Sequence, residues 1–506
     1  MSTKSTEKAP HLSRRHWSAL LPVFLSSIVV AGVLGGFFIG RRTVRDAYVK
    51  KVAHLLEAEN RMTTLYEVLG RQLDDPLNRE AFAKLYAVPL ADRAALNTRL
   101  RAVAWVPPYR PAPFVGHMAR PILGADPHIN VLGFRDKRHS YLTKPERMVR
   151  VFITGGSAAW GSGASSQTKT ISYVLEESLN QQIAPTTGYR YEVINTAFPG
   201  WSTTQEKILI QQRLVSMHPD VVLMFSGSND VHWALNNRDI RWFYGPQDEN
   251  YMMLLNEIYQ SSGHPEWQFA LPASSHPIEP SELAQITVRN VTEAAIAADR
   301  VKAPLIFALQ PNIVSTTKSL SKRERQLPEM QHKAYWDSSY QALRDKLSHI
   351  SLQNYRMLDL SRLFGELDEN TELFVDSYHF ADTGYRLLAH ALADRIDWQS
   401  IQPNAASAGD QTEDLSIISF EPSEWDAGKP FHPQSDGTSM LRVIPNRTNK
   451  NLLVVFDHSV LPTNIAADAV TALLRRSDYE TKGEHTIYLV DGMTGETSNQ
   501  VIFKSR

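Results

Sequence analysis

Five residues scattered through the chain are of the types that acyl transfer needs: Ser157, Gly200, Asn229, Asp376 and His379. A serine hydroxyl is a poor nucleophile at neutral pH and needs a base within hydrogen-bonding reach. Histidine suits that role because its ordinary pKa lies near the working pH. In Asp376-Ser-Tyr-His379 a turn lets the carboxylate bond one ring nitrogen and leaves the other to face Ser157. That is the nucleophile, base and orienting acid of a serine triad. A tetrahedral intermediate also needs fixed donors for its negative oxygen. The backbone N–H groups of Ser157 and Gly200 and the Asn229 amide supply three, with glycine at 200 letting the backbone come close to substrate.

Each block alone is weak, since a Gly-Gly-Ser is more often a plain turn and an Asp-x-x-His more often a surface pair. Their order and their placement make the set specific. Ser157 follows a buried run from Met148 to Ile153, at the end of a strand where open α/β sheets hold their ligands. Further strands are expected at Tyr191–Asn195, Val221–Phe225, Leu305–Leu309 and Met357–Leu360. Amphipathic segments lie between them at Ile171–Gln182, Thr204–Met217, Ser281–Asp299 and His332–His349, and Tyr385–Trp398 reads as the closing helix. Continuous apolar runs such as VVLMF suit a parallel sheet covered on both faces. The alternation implies an α/β protein with right-handed crossovers, a three-layer sandwich. A phosphate loop is excluded because Gly156–Ser162 has no lysine. A Gly-x-Ser-x-Gly elbow is excluded because Ala159 stands at its last glycine.

The blocks GGSAAWG, NTAFPG, GSND and DSYHFADTGY, preceded by Asn130-Val-Leu-Gly-Phe-Arg135, resemble the SGNH (GDSL-like) hydrolase family over about Ile129 to Ile396. The resemblance implies a flavodoxin-like α/β/α sandwich. It makes Ser157 the nucleophile, places Ser157 N–H, Gly200 and Asn229 in the oxyanion hole, and gives Asp376 and His379 as acid and base. It implies no metal and no cofactor. One departure is plain: the family's Gly-Asp-Ser is Gly-Gly-Ser, with Gly156 in the place of an aspartate that is not the triad acid.

The remaining residues near the blocks carry weaker signals. Trp160, Trp201 and Trp233 each stand a few residues from a block and suit either a sugar-stacking cleft or the core. His218, His232, His264, His276, His332 and His390 lack metal-ligand spacing and read as structural or surface groups. Asp230 reads as a loop-structuring carboxylate. Arg241 to Pro280 lacks periodicity and is expected to be an insertion beside the site.

At 506 residues the chain exceeds one ordinary domain. Lys plus Arg (53) nearly balance Asp plus Glu (54), so no global field argues for nucleic acid. Cysteine is absent, which excludes disulfides and thiolate sites. Residues 1–16 are expected to be a tail. Trp17–Gly40, uncharged and bracketed by arginines, is expected to be a single transmembrane helix. Residues 41–127 are expected to be a helical stalk and a Pro-rich linker (VPPYRPAP), and 128–403 the hydrolase-like domain. Short strands with turn signals after a polar linker make 415–506 an expected all-β sandwich, Ig-like in size.

The expected function is that of a membrane-anchored serine esterase or O-acyltransferase. Its main domains would lie in the periplasm or otherwise outside the cytoplasm, acting on an acylated cell-envelope or exported polysaccharide beside envelope polysaccharide machinery. The sequence leaves open a lipid or lysophospholipid hydrolase, and an inactive scaffold or polysaccharide-binding protein.

Overall fold

The computed structural model describes residues 73–103, 108–112, 114–138, 141, 143–242, 252, 255–260, 262–267, 276–404 and 414–506. Trp17–Gly40 and the expected stalk up to residue 72 lie outside the described residues. Among the described residues no helix is long and apolar enough to cross a membrane. The chain divides into two compact units, Met1–Met62 with Met253–Phe269, and Thr63–Met252 with Ala270–Arg506. In the described part of the first, a helical turn over 255–260 precedes a short 3-10 turn, Pro265–Trp267. There the His264 ring stacks on Trp267 at 3.8 Å between centroids.

The second unit begins with helices α1 (Pro76–Leu85) and α2 (Arg93–Val103). Asp75 caps α1 by accepting from the N–H of Leu77, and Pro76 stands at the first helical position, where its missing N–H costs nothing. Phe82, Leu85 and Tyr86 are buried against Val375 and Ala381. Part of VPPYRPAP, expected to be linker, is instead strand β1 (Tyr109–Ala112), paired antiparallel with β2 (Gly116–Ala119). Proline is tolerated here because a two-stranded ribbon is all edge. Val115, Met118 and Ala119 pack into the same core as the main sheet. Residues 73–103, 108–112 and 114–127 therefore belong to the body of this unit rather than to a free stalk.

That sheet has five strands: β3 (Met148–Gly155), β4 (Arg190–Asn195), β5 (Val221–Ser226), β6 (Leu305–Leu309) and β7 (Tyr355–Asp359). Their order is β4-β3-β5-β6-β7 and all pairs are parallel. Every residue of β3, β5 and β6 is buried, as a sheet covered on both faces requires. The connecting helices are α3 (Ser157–Trp160), α4 (Ile171–Ser178), α5 (Thr203–Gln212), α6 (Ser228–Leu235), α7 (Pro280–Asp299), α8 (Lys333–Leu347) and α9 (Asp382–Arg395). α7 packs against α5 and α8, while α9 packs against α4. This is the α/β/α layering expected from the strand–helix alternation.

After residues 405–413, which are not described, come two sheets. One is ordered β13 (Thr463–Ile465), β14 (Val470–Leu474), β10 (Ser439–Pro445), β8 (Ile417–Glu421). The other runs β12 (Ser459–Val460), β11 (Leu452–Phe456), β15 (Gly483–Asp491), β16 (Val501–Ser505), β9 (Glu424–Trp425). Along β11 and β15 alternate residues serve two cores. Leu452, Val454, Phe456, Ile487 and Leu489 fill the sandwich. Leu453, Val455, Tyr488 and Val490 pack with the α/β residues. Because strand side chains alternate between faces, one sheet is apolar on both sides and the sandwich is docked.

Candidate active site

Strand β3 ends at Gly155, Gly156 caps the following helix, and Ser157 is its first residue. The chain leaves β3 for β4 on one side, while β5 lies on the other. The carboxyl ends of β3 and β5 therefore flank the point where strand order reverses, the place where open α/β sheets hold ligands. Four loops meet there. Ser157 follows β3, Gly200 follows β4, Asn229 opens α6 after β5, and Asp376 and His379 lie between β7 and α9.

Ser157 Oγ and His379 Nε2 are 2.6 Å apart. His379 Nδ1 faces Asp376 Oδ2 at 2.7 Å. Asp376 Oδ1 accepts from the backbone N–H groups of Tyr378 at 2.8 Å and His379 at 2.9 Å. The DSYH turn thus fixes its own carboxylate and leaves one oxygen for the ring. Burial alone would push the Asp376 carboxyl up. The His379 charge, its hydrogen bond and the two backbone donors outweigh burial and hold it below the usual range. Burial likewise disfavours the charged His379 ring, but Asp376 prevails and the imidazole is raised above its ordinary value.

On the other side of Ser157, Asn229 Nδ2 donates one hydrogen to the Trp201 carbonyl at 2.7 Å, which orients the amide and leaves its second hydrogen. Gly200 adopts φ +86°, a region that favours glycine, and its carbonyl accepts from Trp233 Nε1 at 3.0 Å. Ser157, Gly200, Asn229, Asp376 and His379 are all part-buried, between the core and solvent. The five residues singled out in the sequence are therefore brought to one place.

Asp230 does more than structure its own loop. Its carboxylate accepts from Thr203 N at 3.1 Å, Thr203 Oγ1 at 2.5 Å and Thr287 Oγ1 at 3.1 Å, which ties α6 to the start of α5 and to α7. The structure also separates the three tryptophans. Trp160 and Trp201 are fully buried and belong to the core, whereas Trp233 is part-exposed. His232, expected to be structural or on the surface, lies beside the site, with Nδ1 3.1 Å from Tyr378 Oη. Its position three residues after Asn229, on the same face of a helix, is the signal that would have found it. Among the described residues no group of three or more His, Asp or Glu is placed to hold a metal.

No family model matches the chain, and no curated protein matches it. Among solved structures, Axe2, an acetylxylan esterase from Geobacillus stearothermophilus, is 13% identical, covering 48% of this chain and 92% of its own, with TM-score 0.28. The acetyl xylan esterase AlAXEase is 14% identical over 49% of this chain and 100% of its own, with TM-score 0.27. TesA is 13% identical over 49% and 99%, with TM-score 0.30.

Proposed function

We propose that this protein is a serine-dependent ester hydrolase or O-acyltransferase that removes or transfers an acyl group on a cell-envelope or exported polysaccharide. The observation that carries the reading is the continuous chain Ser157 Oγ, His379 Nε2, His379 Nδ1, Asp376 Oδ2, at 2.6 and 2.7 Å.

In this reading Ser157 Oγ attacks the acyl carbon as its proton passes to His379 Nε2. The carbonyl oxygen gains the negative charge and takes hydrogen bonds from Ser157 N–H, Gly200 N–H and the remaining Asn229 amide hydrogen. Collapse breaks the bond to the sugar oxygen, which leaves with the proton from His379. Water, or a second hydroxyl, then gives its proton to His379 and attacks the acyl-serine. Ser157 is released with its proton restored. Asp376 keeps the ring oriented and stabilises the imidazolium. Trp17–Gly40 would anchor the chain in the membrane, with the main domains outside the cytoplasm.

Hydrolysis of p-nitrophenyl acetate by the wild type and by Ser157→Ala tests the class, together with labelling by a fluorophosphonate. The reading requires wild-type turnover, loss on substitution, and label on Ser157. Equal inertness of both proteins and no label would instead favour an inactive scaffold.

A further inference from the structure

Three aromatic residues form an arc from the Gly200 side of the site to its histidine. Trp233 holds the Gly200 carbonyl through Nε1. The His232 ring meets Trp233 edge-on at 4.9 Å between centroids and Tyr378 at 5.4 Å. Tyr378 precedes His379 in the chain, and its ring stands 6.5 Å from that imidazole. Fully buried Trp336 backs Tyr378 at 5.6 Å. Trp233, His232 and Tyr378 are all part-exposed, in contrast to the buried residues behind them.

We infer that Trp233, His232 and Tyr378 form a subsite for the sugar ring that carries or accepts the acyl group, with His232 Nε2 bonding a ring hydroxyl or ester oxygen beside Ser157. The inference rests on the proposed acyl-transfer reading and specifies its substrate class. A pyranose presents apolar C–H faces and polar edges together. Rings with polar tips match both, as amphipathic aromatics do wherever one side of a contact is apolar and the other wet. A long alkyl chain would instead leave His232 Nε2 without a partner, at a cost in desolvation.

The His232 Nδ1–Tyr378 Oη contact also fixes what His232 offers. If Tyr378 donates to Nδ1, Nε2 bears the hydrogen and donates; if Nδ1 donates, Nε2 accepts. A sugar hydroxyl satisfies either state. Burial depresses the His232 pKa to about 4, so the ring is a neutral hydrogen-bonding group at ordinary pH.

The test compares kcat/KM for β-D-glucose pentaacetate with kcat/KM for p-nitrophenyl acetate in the wild-type full chain, His232→Leu and His232→Gln. The ratio of sugar ester to p-nitrophenyl ester should fall at least tenfold in His232→Leu, chiefly through KM. It should return most of the way in His232→Gln, whose amide reaches toward the Nε2 position. A ratio within twofold of wild type in His232→Leu overturns the subsite, as does a wild type that turns over only the p-nitrophenyl ester. A selective loss on p-nitrophenyl decanoate also overturns it, by assigning the arc to an acyl chain. Absence of any ester turnover and of Ser157 labelling is the separate failure of the acyl-transfer reading. Failure of the subsite alone leaves both intact.

Discussion

The side-chain amide of Asn229 lies against the backbone of Gly156. A Cβ on Gly156 would intrude on Asn229 Nδ2 and stand 3.1 Å from Cγ and 3.2 Å from the Trp201 carbonyl that holds the amide. Gly156 is therefore fitted to Asn229, and an aspartate in its place would displace the donor. We expect Gly156→Ala and Gly156→Asp to lower kcat/KM on p-nitrophenyl acetate by roughly 10²- to 10³-fold, the usual cost of losing one oxyanion donor. The backbone at 156 has φ −86°, open to any residue, so the fold should survive. Full activity in Gly156→Ala would show that Asn229 is not used as a donor.

The acid–base pair makes a prediction about pH. His379 must be neutral to accept the Ser157 proton, and Asp376 raises its pKa above 6.5 against the opposing effect of burial. The acid limb of kcat/KM should therefore have its midpoint above 6.5. Asp376→Asn removes the carboxylate charge and leaves burial to act alone, so the midpoint should move below 6.5 while the plateau falls on the order of 10⁴-fold. Rate profiles between pH 4 and 9 check both; an unmoved midpoint would mean that another group titrates.

Much of this arrangement was legible because both faces of the sheet are covered. Leu305–Leu309 has the bounds expected of it, and VVLMF falls inside β5. The edge strand was harder. β7 covers Tyr355–Asp359 rather than Met357–Leu360, because only Tyr355 is buried and Arg356 is exposed, so the apolar run is broken. The site blocks could be found because three of them follow a strand end and the fourth, Asp376–His379, stands just before α9, where sequence punctuation is strong. The fates of Trp160, Trp201 and Trp233 could not, since burial there is decided by neighbours distant in the chain. Docking of the sandwich was hidden for the same reason. An apolar Leu453 or Val490 reads as a strand residue whichever partner covers it.

Tyr86, at the end of α1, donates from Oη to the Gly163 carbonyl at 2.9 Å, and Tyr385 Oη donates to the Ser162 carbonyl at 2.6 Å. The turn that follows Ser157 and its short helix is thus held by two tyrosines from separate elements. Tyr86→Phe leaves a buried carbonyl without its donor, at about 1–3 kcal/mol. Denaturant unfolding should register that loss. A fall in kcat with little change in KM should accompany it if the turn positions Ser157. Wild-type stability would mean that water replaces the phenol.

Glu206 is fully buried on α5. Its Oε1 accepts from Ser226 Oγ at 2.6 Å, while Oε2 has no partner among the described residues. Burial, aided by the nearby Asp230 charge, raises its pKa well above 4.5 against the opposing hydrogen bond. The folded carboxyl stays protonated where the unfolded one has ionised, so folding takes up a proton. A group raised in this way contributes stability below 4.5 that is lost as pH rises toward its folded pKa. Glu206→Gln keeps an acceptor for Ser226 but has no proton to lose. The stability of Glu206→Gln relative to wild type should therefore increase between pH 5 and pH 8, by at most about 1.4 kcal/mol per pH unit. His379 titrates in both proteins and cancels in the difference. Denaturant melts across that range read the effect directly, and a constant difference would mean that the buried carboxyl is already ionised.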